Sequence, residues 1–248
     1  MSLIFRIRFS GSTMEFSFEP LNSTMMKRIS LLTGLVLLFL SSWAQPMISN
    51  IQLSFTASPS INWLSTTSQE ISREKAVLGY DFGILGDVFF SENAHYSLNT
   101  GLLVINTGGV LAYRPVGTFI FAGEELAPNT EIKFRLRYLE VPLSLKLRTD
   151  EFHRMYYWGV FGLSPMINIG ANGTTDDGTF KRASIHEEVS MFNVAMNVGI
   201  GFDFDLGGNT QASAGLIFQN GLTDVTTENS FDDKTILNSL KIRLGLIF

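Results

Sequence analysis

The chain has 248 residues, of which 45% are hydrophobic and only 17% charged, with 21 Phe, no Cys and a net charge of −5. The length allows one or two domains, and the absence of cysteine rules out a disulfide frame or a thiolate metal site. An acidic chain without basic clusters also argues against a nucleic-acid partner.

In chain order, residues 1–25 resemble no targeting element and are read as an extension from a start codon called too early. Residues 26–44 read as a secretory signal peptide. Lys27 and Arg28 form its positive start, 29–40 its apolar run, and Ser42-Trp43-Ala44 a small-x-small cleavage site. The apolar run falls short of the ~20 residues that a helical anchor needs. Removing 1–44 takes away Arg6, Arg8, Lys27 and Arg28 but only Glu15 and Glu19, so the mature part, 45–248, is more acidic than the whole.

Past Gln45 no amphipathic helix is convincing, and alternating stretches bounded by Gly, Asn, Asp, Ser or Thr recur. A strand of period two sends successive side chains to opposite faces. The first stretch, 51–63, sets Ile51, Leu53, Phe55 and Ile61 against Gln52, Ser54, Thr56 and Asn62. The second, 76–90, sets Leu78, Tyr80, Phe82 and Ile84 against Gly79, Asp81, Gly83 and Asp87. In the third, 96–105, Tyr96, Leu98, Leu102 and Val104 oppose Ser97, Asn99 and Gly101. The fourth is entered from about residue 131 and carries Leu139, Val141, Leu143, Leu145 and Leu147 against Glu140, Pro142, Ser144, Lys146 and Arg148.

The fifth, 155–169, is the least regular. Tyr157, Phe161, Leu163, Ile167 and Ile169 share a face, while Trp158 and Val160 fall opposite and leave the register open. The sixth, 192–206, alternates throughout: Phe192, Val194, Met196, Val198, Ile200, Phe202, Phe204 and Leu206 oppose a set that includes Asp203 and Asp205. The seventh spans 211–222. The eighth, 237–248, sets Leu240, Ile242, Leu244, Leu246 and Phe248 against Lys241, Arg243 and Gly245.

The connections 91–95, 149–154 and 207–209 are short, whereas 64–75, 106–130, 170–189 and 223–236 are long, and the two kinds alternate. That is the pattern of an eight-stranded antiparallel up-and-down transmembrane β-barrel with short periplasmic turns and longer extracellular loops. A soluble lipocalin-like barrel has the same strand number but turns its apolar face inward. Residue types favour the membrane. The polar face carries many glycines and a nearly balanced charge set suited to a narrow filled lumen: Asp81, Asp87, Glu140, Asp203 and Asp205 with Lys146, Arg148, Lys241 and Arg243. The apolar face is nearly charge-free over the ~9–11 residues that a tilted strand needs to cross a bilayer. Tyr80, Tyr96, Tyr157, Phe192 and Phe204 sit near strand ends, as interfacial girdles require. Pro142 lacks an N–H, which predicts a local bulge or a weakened pair.

The segment "YLEVPLSLKLR" resembles the Y-L-E-[IV]-P-hydrophobic-x-hydrophobic-K segment of the PorT-like outer-membrane β-barrel family of Bacteroidetes. The matching residues are Tyr138, Leu139, Glu140, Val141, Pro142, Leu143 and Lys146. "YYWGVFGLSPMINI" (156–169) and "FQNGL" (218–222) are also similar to that family. The resemblance implies a barrel in the outer membrane of a diderm bacterium, in contact with its lipid. It implies that Phe248 ends a C-terminal signal read by the barrel-assembly machinery. Some members of the family serve a secretion apparatus.

Little points to chemistry. His95, His153 and His186 are far apart and lack ligand spacing. Glu187 and Glu188 beside His186 read as a solvated loop before an acid–base pair. "NGTTDDG" (172–178) lacks the alternation of a cation loop, and Gly199-x-Gly201 has no helix after it. No catalytic, metal or cofactor site is expected. The expectation is a small non-conducting barrel that binds a protein partner through its outer loops. Loop 106–130 is the contact element, because "RPVGTFIFAG" (114–123) exposes apolar residues. The alternatives are a PorT-type secretion component, a barrel enzyme at the outer rim, and a soluble lipocalin-like binder.

Overall fold

The computed structural model describes residues 51–67, 71–90, 94–114, 119–179, 181–227 and 234–248, together with the backbone of 3–7 and 16–20. Leu3–Ile7 and Phe16–Pro20 pair antiparallel as a unit of their own. The signal peptide read over 26–44 lies outside the described residues.

From Ile51 onward the chain forms a closed antiparallel ring of eight strands in sequence order: β1 (Ile51–Thr66), β2 (Val77–Phe89), β3 (Tyr96–Tyr113), β4, β5 (Met155–Thr175), β6 (Phe192–Gly207), β7 (Thr210–Gly221) and β8 (Thr235–Ile247). The fourth strand is interrupted and comes in two segments, β4a (Thr130–Glu140) and β4b (Leu143–Arg148). Closure is made by β8 on β1, with Leu240 opposite Ile61 and Leu246 opposite Phe55. No strand edge is left unpaired around the ring, as a lipid environment demands.

The break in β4 falls at Val141 and Pro142. Glu140 pairs with Met166 and Leu143 with Leu163, so equal lengths separate the two pairs on both strands and no extra residue intervenes. The result is a weakened ladder on both sides: Pro165, opposite Val141, has no N–H to return, and Pro142 has none to give toward β3. The Val141 N–H still donates to the Pro165 carbonyl at 3.0 Å.

Which face is outside is now fixed. Phe202, Leu244 and the apolar residues of the same outward rows are exposed or half-exposed, whereas Asp81, Asp87, Glu140, Lys146, Asp203 and Lys241 are buried. A soluble carrier would show the reverse, so the lipocalin-like alternative falls. On β5, Tyr157, Phe161, Leu163 and Ile167 face out while Trp158 and Val160 point into the lumen.

The strands run farther than the apolar rows do. On β4a the outward Lys133, Arg135 and Arg137 continue the row of Leu139 to Leu147, and the inward Ile132, Phe134, Leu136 and Tyr138 are buried. On β5 a register shift between Asn168 and Gly170 turns Ala171 and Gly173 inward. Above the belt two short strands join the wall: Ile71–Lys75 pairs with the top of β3, and Lys181–Ser184 with the top of β5. A hairpin of Phe119–Phe121 and Glu124–Leu126 belongs to the same end.

Candidate functional site

The lumen is assembled from inward side chains of strands distant in sequence. On its periplasmic side, Lys146 Nζ lies 2.7 Å from Asp87 Oδ2 and 3.5 Å from Asp203 Oδ2. Asp203 is 0% exposed, and its other oxygen accepts from Trp158 Nε1 at 2.8 Å and Ser213 Oγ at 2.6 Å. Asn99 donates to Asp87 at 2.6 Å. Arg148 closes this end: Nε sits 3.7 Å from Asp203, Nη2 donates to Gln211 Oε1 at 2.7 Å, and the guanidinium lies 3.8 Å above the Tyr156 ring.

Toward the extracellular side a second cluster centres on Lys241, 3.1 Å from Asp81 and 3.5 Å from Glu140. Glu140 also accepts from Ser164 Oγ at 2.5 Å and Gln219 Nε2 at 3.2 Å, and Asn197 donates to Ser164. Arg243 projects between the two clusters. It lines, with Asp87, Asn99, Lys146 and Trp158, a cavity of about 20 Å³. That is room for about one water.

Asp205 does not belong to this network. It is partly exposed at the periplasmic mouth, where Arg154 Nε approaches its carboxylate at 3.8 Å and the Gly207 N–H donates to it at 2.8 Å. Period two placed it on the face of Asp203, but β6 has by then left the lumen. With Asp205 outside, four carboxylates (Asp81, Asp87, Glu140, Asp203) meet four cations (Lys146, Arg148, Lys241, Arg243). Such balance is what makes buried charge tolerable.

Trp158 seals the remaining space. It pairs across strands with Gly201, which pairs with Gly215, and a Cβ on either glycine would overlap the indole. The ring therefore lies across two glycines, the arrangement in which an aromatic covers bare backbone. Val160 and Ile217 complete this apolar patch.

Above the lumen lies an apolar core that the sequence reading did not contain. Leu64, Leu111, Tyr113, Phe121, Leu126, Ile132, Phe134, Ile185, Val189 and Val225 are its main buried members. Phe121 stacks edge-on against Phe134 with centroids 6.0 Å apart, and Tyr113 lies 5.8 Å from Phe121. The loop expected to expose its apolar residues therefore buries Phe121, while Ile120 is 68% exposed. The missed signal was readable: from 131 to 138 charged and apolar residues alternate, with the apolar set on the row that holds Glu140 and Lys146 lower down.

The remaining expected residues lie apart. His186 and Glu187 are exposed on a short 3₁₀ turn, and Glu188 Oε1 accepts from the Ala122 N–H at 3.1 Å, tying that turn to the hairpin. His95 lies at the periplasmic end, 3.5 Å from Asp150. On the 176–179 loop the Thr175 hydroxyl, then the Thr179 N–H and hydroxyl, hold the Asp177 carboxyl below its ordinary range. Tyr80, Tyr96, Tyr157 and Phe192 are exposed near the ends of the apolar rows, while Phe204 is half-buried with Arg154 over its ring at 5.6 Å. Phe248 faces outward, and its N–H donates to the Leu53 carbonyl at 2.8 Å. Tyr138, Glu140, Pro142 and Lys146 face inward, while Leu139 and Val141 are on the lipid row.

A closed eight-stranded ring with an apolar girdle outside, charged side chains sealed inside and long loops at one end defines a transmembrane β-barrel of the outer-membrane kind. The sequence agrees: residues 43–244 match the outer membrane protein β-barrel domain family, to which this chain belongs. It is an outer-membrane protein of a bacterium. Among solved structures it is similar to Neisserial surface protein A, at 13% identity and a TM-score of 0.45, covering 79% of this chain and 95% of that one. It is also similar to Ail of Yersinia pestis in complex with the heparin analogue sucrose octasulfate (11%, TM-score 0.37, 80% and 99%). OprG of Pseudomonas aeruginosa is a third (9%, TM-score 0.39, 80% and 95%). No curated protein sequence matches the chain.

Proposed function

We propose that this protein is a non-conducting barrel, not an enzyme, that uses its lipid-embedded wall to hold a rigid extracellular platform for a protein partner. The observation that carries the reading is the filled interior. The cavity between the two charge clusters, about 20 Å³, is far below what a hydrated ion needs, and a hydrophobic core lies above it. The platform is rigid because the hairpin is anchored from below by Phe121 and Leu126 and from the side by Glu188. Among the described residues of the hairpin, its outward apolar point is Ile120. A photo-crosslinking residue at Ile120 in intact cells should give one discrete protein adduct, and the same residue at the lipid-facing Leu145 should give none. Steady current through the purified protein in planar bilayers, or the absence of any Ile120 adduct, would remove the reading.

The likeness to PorT-like proteins supports a second role, in protein export. The residues that carry it are also accounted for locally: Tyr138 is buried, Glu140 receives Ser164, Gln219 and Lys241, and Lys146 pairs with Asp87. Retention of secreted cargo in the periplasm of a deletion strain would favour that role over the platform.

A further inference from the structure

The outward row of β4a carries Lys133, Arg135 and Arg137 at alternate positions, and the next outward residue, Leu139, begins the lipid-facing girdle. In a chain of net charge −5, read from sequence as lacking basic clusters, the fold gathers one here. Its neighbours across the sheet are small or neutral: Asn106 and Gly170 flank Arg137, and Gly108 and Asn172 flank Arg135. Short flanking residues leave the cations beside an open groove of about 840 Å³, to which Arg182 comes from the Lys181–Ser184 strand. Below, the groove runs onto Leu78, 86% exposed, and Tyr80 on β2.

The charges are uncompensated from within. Among the described residues none of Lys133, Arg135, Arg137 and Arg182 has a carboxylate within 4.0 Å. Arg137 Nε donates only to the neutral Asn106 Oδ1, at 3.2 Å. Glu131, the carboxylate on the same outward row, is taken by Lys75 at 2.9 Å. Four cations lining one groove repel one another, so an anion entering it would be stabilised.

We propose that this groove binds the phosphate of a phosphorylated glycolipid of the outer leaflet, with Arg135 and Arg137 as its principal ligands and Leu78 and Tyr80 against its apolar part. Height selects the ligand. The cations begin one outward residue above the girdle, where headgroup phosphates lie, and the groove is continuous with the lipid surface. Guanidinium forks suit phosphate because they donate two parallel N–H bonds to one group. The site would fasten the barrel at a fixed depth and tie the base of its platform to the leaflet.

The test is native mass spectrometry of the delipidated protein in detergent with three probes: phosphorylated lipid A, the same lipid A with its phosphates removed, and inorganic phosphate. The phosphorylated lipid should remain bound. Removing its phosphates, or making K133Q/R135Q/R137Q, should weaken binding by about a hundredfold, roughly fivefold for each charge neutralised near an anionic surface. The electrophoretic shift on boiling verifies that the variant barrel is folded. Equal binding of the dephosphorylated lipid to the unmodified protein overturns the proposal without recourse to any variant. So does an unchanged triple variant, or displacement of the lipid by an equal concentration of inorganic phosphate.

Discussion

Along the fourth strand the outward positions from Leu139 to Leu147 are all aliphatic, and the inward ones beside them are Glu140, Pro142, Ser144, Lys146 and Arg148. Higher on the same strand the outward positions are Lys133, Arg135 and Arg137, and the inward ones are Ile132, Phe134, Leu136 and Tyr138. The geometric rows do not change; their chemistry does. In lipid the wall must be apolar outside and can store paired charge within, whereas in water it must be polar outside and needs an apolar core. The level at which the two rows exchange character, between Arg137 and Leu139, marks the outer surface of the membrane on this strand.

The lower half is held by paired charges, and its sharpest probe is Asp203→Ala. That change deletes the acceptor for Trp158 and Ser213 and strips Lys146 and Arg148 of one anion. Breaking a buried pair from one side costs about 3–5 kcal/mol. The midpoint of the heat-induced mobility shift in detergent should fall steeply. A midpoint equal to that of the unmodified protein would mean that the lumen is hydrated and the ion pairs are dispensable.

The upper half is held by apolar packing, so its counterpart is Phe134→Ala, which empties the site against which Phe121 stacks. Large-to-small changes of this kind cost about 3 kcal/mol or more. The loss should be local. Limited proteolysis should begin to cut within the 119–126 hairpin, while the mobility shift of the barrel stays. Global loss of the shift would show that the two halves unfold as one unit.

The lower half was largely legible in the sequence, and the upper half was not. Strict alternation between polar and apolar residues, as in 192–206, identifies seven of the eight strands and their apolar rows. The outward direction of those rows rested on the glycines and balanced charges opposite them, and β5 kept its register open until Trp158 was placed. The pairings inside the lumen were beyond reach, since Lys146 meets Asp87 and Asp203 only once closure of the ring brings β2, β4b and β6 to one axis. Asp205 misled because periodicity assigns a face and says nothing about where the lumen ends. Residues 107–113 read as loop because every one of them is buried, which erases alternation, and Phe121 read as exposed because its core comes from several separate connections. Trp158 broke the apparent rule of its strand, and only the glycines facing it on β6 and β7 explain how an indole fits inside so narrow a ring.

The exchange between Arg137 and Leu139 can itself be tested with two reciprocal substitutions on the same outward row. Leu143→Arg places a cation in the middle of the girdle on β4b, where the penalty is about 2–4 kcal/mol. Arg135→Leu places an aliphatic residue above it, in contact with water and headgroups, and in vesicles free of the phosphorylated glycolipid surface changes of that kind stay within about 0.5 kcal/mol. Unfolding in urea from lipid vesicles should separate the two by most of that difference, although both invert the local character of one exposed position. If Leu143→Arg were tolerated as well as Arg135→Leu, the girdle would not be in lipid at that height, and the boundary drawn from the inversion of the rows would be wrong. If instead Arg135→Leu stabilised the vesicle-embedded protein by more than about 1 kcal/mol, the hydrocarbon would reach that far up β4a, and the span of the lower half would have to be extended by two residue pairs.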